Sequence, residues 1–200
     1  MGNMDIFNTM ANAYDTADRI QIGKLASDAI SEGLVDTTNK TAIDFGCGTG
    51  LVGMNLLEKF KSVLFLDSSQ NMIDQVKGKI KAYNINNADT LCFDFEKDSR
   101  PELHADYIFM AQVLLHIQDI ELILARLYTV LNKGGHLIIV DFDKNEEVVS
   151  DMVHNGFEQA ELIKLMTKLG FRENQSKTFY TGSKIFMNQD ASLFILDAQK

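Results

Sequence analysis

Cysteine and proline are nearly absent from this chain. Its two cysteines, Cys47 and Cys92, belong to no CxxC or Cys/His cluster, which excludes a disulfide framework and leaves no ligand set for structural zinc or another metal. The single proline is Pro101, and there are no repeats or low-complexity tracts. No linker is visible, so one compact unit over residues 1–200 is expected. No apolar run approaches the ~20 residues needed to span a bilayer. The stretch from Met1 to Asp15 has neither a basic start nor a sustained apolar segment, and Ile6 stands where a myristoylation signal needs Ser or Thr. A cytoplasmic protein without membrane insertion is expected. Basic residues are also in deficit, 19 against 28 acidic, for a net charge of −9 and a pI near 4.9. That field repels a phosphate backbone, so nucleic acid is not an expected partner. The densest basic cluster, Lys77, Lys79 and Lys81, reads as the solvated face of one helix.

What is present is an alternation of strand and helix signals. The 200 residues are 46% hydrophobic, and a chain of this size buries roughly 70% of its unfolded surface. Ile22, Leu25, Ala26 and Ala29 follow helical spacing, which predicts a helix over about 16–32. Residues 41–45 and 63–67 read as buried strands, with a helix over about 50–60 between them. Ser68 or Ser69 caps the next helix, whose apolar face is Met72, Ile73, Val76 and Ile80. Strands follow at 89–95 and 107–113. Asp119 opens a helix that stops at Gly134-Gly135, and residues 136–142 form a fifth strand. A last helix through Leu162 and Leu169 closes at Gly170. Strands at about 173–181 and 192–199, joined by a polar loop, pair antiparallel. The pattern is α/β, a parallel sheet covered by helices on both faces. In such sheets ligands bind at the carboxyl ends of the strands.

The strongest local signal is Ala42-Ile-Asp-Phe-Gly-Cys-Gly-Thr-Gly50. Glycines at alternate positions, after a strand and before a helix, let a ligand approach backbone amides with no Cβ in the way. Gly48 to Gly53 spells GxGxxG, with Asp67 at about the distance of a dinucleotide-binding acid, so a nicotinamide enzyme is one reading. Against it stands Asp44, two residues before Gly46. A carboxylate there repels a pyrophosphate but suits a ligand carrying ammonium and sulfonium groups. The strand also ends before Gly46, in the wrong frame for the dinucleotide pattern. The charge argument favours S-adenosylmethionine.

The same residues resemble the first motif of the class I S-adenosylmethionine-dependent methyltransferases, an acid followed by GxGxG. Further resemblances follow in order. Asp67, with Ser68 and the "S-x-x-M" start that ends at Met72, is similar to the family's ribose-binding segment. Asp94-Phe95 resembles the pair that holds the adenine. Ala105 to His116 resembles the fourth-strand segment of the branch that methylates quinones and small molecules, and Leu131 to Val140 resembles the "L-x-x-G-G" before strand five. The resemblance covers roughly 38–145. It implies a Rossmann-like three-layer αβα sandwich whose seven-stranded, mostly parallel sheet has an antiparallel last strand. An N-terminal helical lid (1–35), a cofactor-binding core (38–145) and a C-terminal helix and β-hairpin (146–200) are the expected divisions.

The cofactor-binding residues implied are Tyr14, Asp44, Gly46, Cys47, Gly48, Gly50, Asp67, Ser68, Met72, Asp94, Phe95, Ala111 and Gln112. Asp67 can accept from the ribose hydroxyls and Asp94 from the adenine amino group, while Phe95 packs near the ring. Ala111 and Gln112 face the methionine portion, and Tyr14 closes over the cofactor. Cys47 reads as a small space-filling residue and Met72 as core with a secondary adenosine contact. Methyl transfer from a sulfonium needs a base only if the acceptor loses a proton. His116 is the candidate base, with a structural histidine as the competing reading. His154 is a weaker candidate, and His104 and His136 read as structural. The expected acceptor is a small molecule. Its pocket walls are sought in 1–24, 112–118, 143–157 and 181–190, where Phe7, Met10, Phe142, Met152, Phe157, Tyr180 and Met187 lie. A non-catalytic S-adenosylmethionine-binding protein is the alternative in a different class.

Overall fold

A computed structural model of the protein describes residues 14–200; Phe7 and Met10 lie outside the described residues. Helix α1 (Ala17–Gly33) opens where the Thr16 hydroxyl accepts from the Arg19 N–H, with Asp18 in the first turn favouring the helix dipole. Strand β1 (Thr41–Phe45) follows. The helix expected over 50–60 is instead a four-residue turn, α2 (Gly53–Leu56), tightening into a 3₁₀ turn at Leu57–Lys59. It cannot begin earlier because Gly50 has φ +84°, outside the right-handed helical region. Strand β2 (Ser62–Asp67) leads to α3 (Gln70–Ala82), and of the two candidate caps it is the Ser69 hydroxyl that accepts from Met72 N–H.

Strand β3 (Ala88–Cys92) passes to β4 (Ala105–Ala111) with turns and no helix between. Asp119 caps α4 (Ile120–Val130) as expected, but the helix ends four residues before Gly134. Leu131 is extended and 1% exposed, and it pairs with Ala105. That pairing draws the segment into β5 (Leu131–Phe142). After α5 (Gln159–Lys168), β6 (Arg172–Phe186) and β7 (Gln189–Gln199) form a long hairpin. The expected polar loop is strand almost to its tip, where Phe186 pairs with Gln189. Met187 and Asn188 between them have φ of 50° and 65°, the positive values of a two-residue hairpin turn. Burial of the Phe186 ring against Phe142, 4.2 Å between centroids and 3° from parallel, holds the extension in place.

The seven strands run in the order β3-β2-β1-β4-β5-β7-β6, and β7 alone runs opposite to the other six. Side chains alternate across the sheet. Ile43 and Phe45 join the core beneath α4 and α5, with Ile123, Leu124, Leu162 and Met166. Ala42, Val63 and Phe65 face the other way, against Ala26, Ile30, Leu56, Ile73 and Val76. The result is the expected three-layer sandwich. The chain runs outward from β1 to β3 and then returns to β4 beside β1. That reversal opens a crevice at the carboxyl ends of β1 and β4.

Candidate functional site

The crevice holds a cavity of about 210 Å³ lined from β1, β2, β4 and α1. Its floor is the loop after β1. Gly46 has φ +67°, and a Cβ there would stand 2.6 Å from both methyls of Val113, so only glycine lets the loops after β1 and β4 touch. Gly48 has φ +53°, and the nearest atom to a Cβ there would be the Tyr14 ring, 3.8 Å away. Gly46, Cys47 and Gly48 line the cavity, whereas Gly50 does not. Gly50 packs beneath the loop, where its Cβ would meet Met54, Phe65 and Val76.

Two carboxylates face this loop. Asp44 is 3% exposed, and its Oδ2 accepts from the Gly53 N–H at 3.0 Å. Burial pushes its carboxyl up to about 7, the Gly53 N–H opposes the rise, and the neighbouring Asp67 adds to it. Asp67, at the end of β2, accepts from Gly48 N–H and Ser69 N–H, each at 2.8 Å. Burial raises its carboxyl too, opposed by these backbone donors. Ser68 and the 1%-exposed Met72 complete this end of the cavity.

Beyond β3 the site is aromatic. Asp94 lines the cavity, but its carboxylate also accepts from Glu96 N–H at 2.9 Å and pairs with Lys97 at 2.9 Å. Phe95 is 3% exposed, wedged edge-on between Phe45 and Phe93. The ring more open to the cavity is Phe93, which the sequence reading passed over. Its place at the carboxyl end of β3, next to Asp94, was the available signal. Arg19, Val113 and Ile117, from the expected wall segments 1–24 and 112–118, also line the cavity. Arg19 lies 4.2 Å over the Tyr14 ring and donates to the Tyr14 carbonyl at 3.2 Å.

At the other end, Ala111 closes β4 and Gln112 follows with φ +55°, its N–H bonded to the Val140 carbonyl at 2.8 Å. Strained backbone of this kind occurs where a chain is held for function. His116 lines the same end, and burial lowers its imidazole to about 4, so it is neutral near pH 7. The loop carrying it is fixed from two sides. Asp141, fully buried, accepts from Leu115 N–H at 3.2 Å and Phe142 N–H at 2.9 Å. His154 donates its N–H to the Leu115 carbonyl at 2.8 Å, and its Nε2–H to the Ile117 carbonyl at 2.7 Å. His154 therefore buttresses the loop from outside the cavity. Residues of 143–157 and 181–190, expected as pocket walls, do not line it. Val148, Phe157 and Phe186 instead join Phe142 in the core beneath α4 and α5, while Val149 is 90% exposed. His136 stands at the far end of the sheet, bonded to Asp197 at 2.9 Å and stacked on Tyr107.

The residues fit S-adenosylmethionine. Asp67 lines the cavity, and its carboxylate has acceptor capacity for a ribose hydroxyl beyond its backbone N–H partners. Phe93 and Phe95 offer an apolar wall for a purine, and the buried Asp44 offers a carboxyl that a cationic group would hold ionised. Among the described residues no group of three or more His, Cys, Asp or Glu side chains could hold a metal, and no helix is long and apolar enough to cross a membrane.

Comparison with known proteins agrees with this fold. Residues 43–137 match a family described as "Methyltransferase domain". An uncharacterized methyltransferase of Schizosaccharomyces pombe is 26% identical over 130 residues, 62% of this chain and 44% of the relative. The structure is similar to a SAM-dependent methyltransferase from Aquifex aeolicus, with TM-score 0.71, 17% identity, and 96% and 97% of the two chains covered. It is also similar to Haemonchus contortus phosphoethanolamine N-methyltransferase 2 in complex with S-adenosyl-L-methionine. There the TM-score is 0.73 at 15% identity, covering 97% of this chain and 60% of that one. The chain thus spans less than two thirds of the length of two of these proteins.

Proposed function

We propose that this chain, which carries a methyltransferase domain on the fold of the S-adenosylmethionine-dependent methyltransferases, methylates a small, partly apolar acceptor in the cytoplasm. The observation that carries the reading is Asp44, a buried carboxylate under the glycine loop with Asp67 beside it. Such a pair disfavours a pyrophosphate and favours a ligand with cationic groups. When bound, S-adenosylmethionine supplies a methyl group on a sulfonium, poised for in-line displacement. The protein's part is to align the acceptor and exclude water. Asp67 and Ser68 hold the ribose, Asp94, Phe93 and Phe95 the adenine, and Ala111 and Gln112 the methionine portion. Gly46, Cys47 and Gly48 form the floor, Tyr14 the roof. The surplus of acidic residues favours a small acceptor over nucleic acid.

Calorimetric titration with S-adenosylmethionine, its demethylated product and NAD tests this directly. Micromolar binding of the first two, with none of NAD, is the expected result; binding of NAD alone would overturn the reading.

His116 offers a neutral imidazole at the methyl end of the site. With its acid form confined below about pH 4, turnover should show no ionisation near 6.5 attributable to this group. A positioned base contributes on the order of 10²–10⁴-fold. His116→Ala is therefore expected to slow methyl transfer at least about 100-fold for an acceptor that must lose a proton. Rates within twofold of wild type on such an acceptor would remove His116 from the chemistry.

A further inference from the structure

Lys79 lies in the basic cluster that reads as a solvated helix face, yet its side chain is only 27% exposed. From α3 its Nζ reaches two other elements. It donates to Asp15 Oδ2 at 2.8 Å, just ahead of α1, and to the Thr49 carbonyl at 2.8 Å, in the glycine loop. The second oxygen of Asp15 accepts the Thr49 hydroxyl. Three residues far apart in sequence thus close a triangle of hydrogen bonds, all three charge-assisted and one of them on both sides.

The triangle is placed where it can act on the site. Tyr14 immediately precedes Asp15 and lines the cavity above Gly48, while Thr49 lines it from below. The Arg19 guanidinium fixes the same segment by stacking on the Tyr14 ring and bonding its carbonyl. Roof and floor of the cavity are therefore tied to each other, and to α3, through one ammonium group. Lys79 takes no part in lining the cavity and acts only through Asp15 and Thr49. Fully exposed ion pairs contribute little, but both partners here are about two-thirds buried, at 27% and 34% exposure.

We propose that Lys79, Asp15 and Thr49 are positioning residues that hold the Tyr14 segment down on the glycine loop and so set how long S-adenosylmethionine stays bound. The proposal rests on the cofactor reading above. Binding variants of an interface act mainly on dissociation, and a clasp over a ligand does the same.

The test is stopped-flow or surface-based kinetics of S-adenosylmethionine with wild type, Lys79→Met, Asp15→Asn and the double variant. Amide hydrogen exchange over residues 15–20 is measured on the ligand-free proteins. Each single variant is expected to raise the dissociation rate about tenfold and leave association nearly unchanged. The double variant should add little to either single, because both break one unit. Exchange at residues 15–20 should quicken while the sheet stays protected. Dissociation rates within twofold of wild type, or additive effects in the double variant, would overturn the proposal. Exchange needs no ligand, so unaltered exchange in Lys79→Met overturns the clasp whether or not wild type binds S-adenosylmethionine. Absence of binding by wild type would instead refute the cofactor reading.

Discussion

Asp67→Ala is expected to weaken S-adenosylmethionine binding by at least about 100-fold. The carboxylate stands at the end of β2, where its two oxygens take the Gly48 and Ser69 N–H groups. It thereby fixes the glycine loop against the start of α3 before any ligand arrives, and it lines the cavity. Hydrogen bonds to charged groups contribute about 1.5–3 kcal/mol each, so losing two ribose contacts accounts for a change of this size. Alanine also leaves the Gly48 N–H without its acceptor, in the loop that forms the floor. Asn is no remedy, since its amide presents an NH₂ donor to one of two N–H donors. Calorimetry on the variant decides, with thermal unfolding to show that the fold persists. Affinity within about fivefold of wild type would remove Asp67 from the ribose site.

The second large effect is an affinity that rises with pH. In the ligand-free protein the Asp44 carboxyl is pushed up to about 7 by burial. A cationic ligand favours the ionised form, so below about pH 7 binding must release the Asp44 proton. Apparent affinity should then fall by up to about tenfold per pH unit below 7 and level off above it. Asp44→Asn should flatten the profile and lower the plateau. A pH-independent affinity between 5.5 and 8 in wild type would show that Asp44 carries no charge toward the ligand.

The same group has a consequence for stability. A carboxyl raised in the folded state holds its proton there while the unfolded chain has lost it. Its contribution is complete below the unfolded value near 4 and disappears as pH rises to the folded value. Asp141 is likewise pushed up to about 7 by burial, opposed by backbone N–H groups including those of Leu115 and Phe142. His136, raised chiefly by its hydrogen bond to Asp197, adds a loss of the same sign at higher pH. His116, lowered to about 4, acts in the opposite sense up to about 6.5. Two aspartates outweigh one histidine. The ligand-free protein should therefore lose thermal stability from pH 5 to 7, and Asp44→Asn and Asp141→Asn should each reduce the slope.

Much of this architecture was legible in the sequence because hydrophobic periodicity is local. Both faces of β1 are apolar around Asp44, and that marked a strand buried on both sides. Ser69 and Asp119 announced their helices because a cap bonds the backbone two or three residues on. Helix ends were harder. Leu131 leaves α4 to pair with Ala105, a partner in another strand, and nothing beside Leu131 in the sequence signals that. The hairpin tip was obscured for the same reason, since Phe186 finds its partner in Phe142, on another strand.

The site divides along the same line. The glycine loop, Asp44 and Asp67 could be read from the chain alone, because a ligand's charge and a loop's need for glycine restrict residue types at nearby positions. The layered α/β sandwich and the acidic, glycine-floored crevice were thus already written in local pattern and residue type. It took the packed structure to show that Phe93 lines the cavity as the less buried of the two rings, beside Phe95. The packed structure also decided that Gly50 packs beneath the loop, that His154 stands behind the wall, and that Lys79 joins Asp15 to Thr49. Each of these depends on side chains brought together across long separations, and periodicity and capping act over only a few residues.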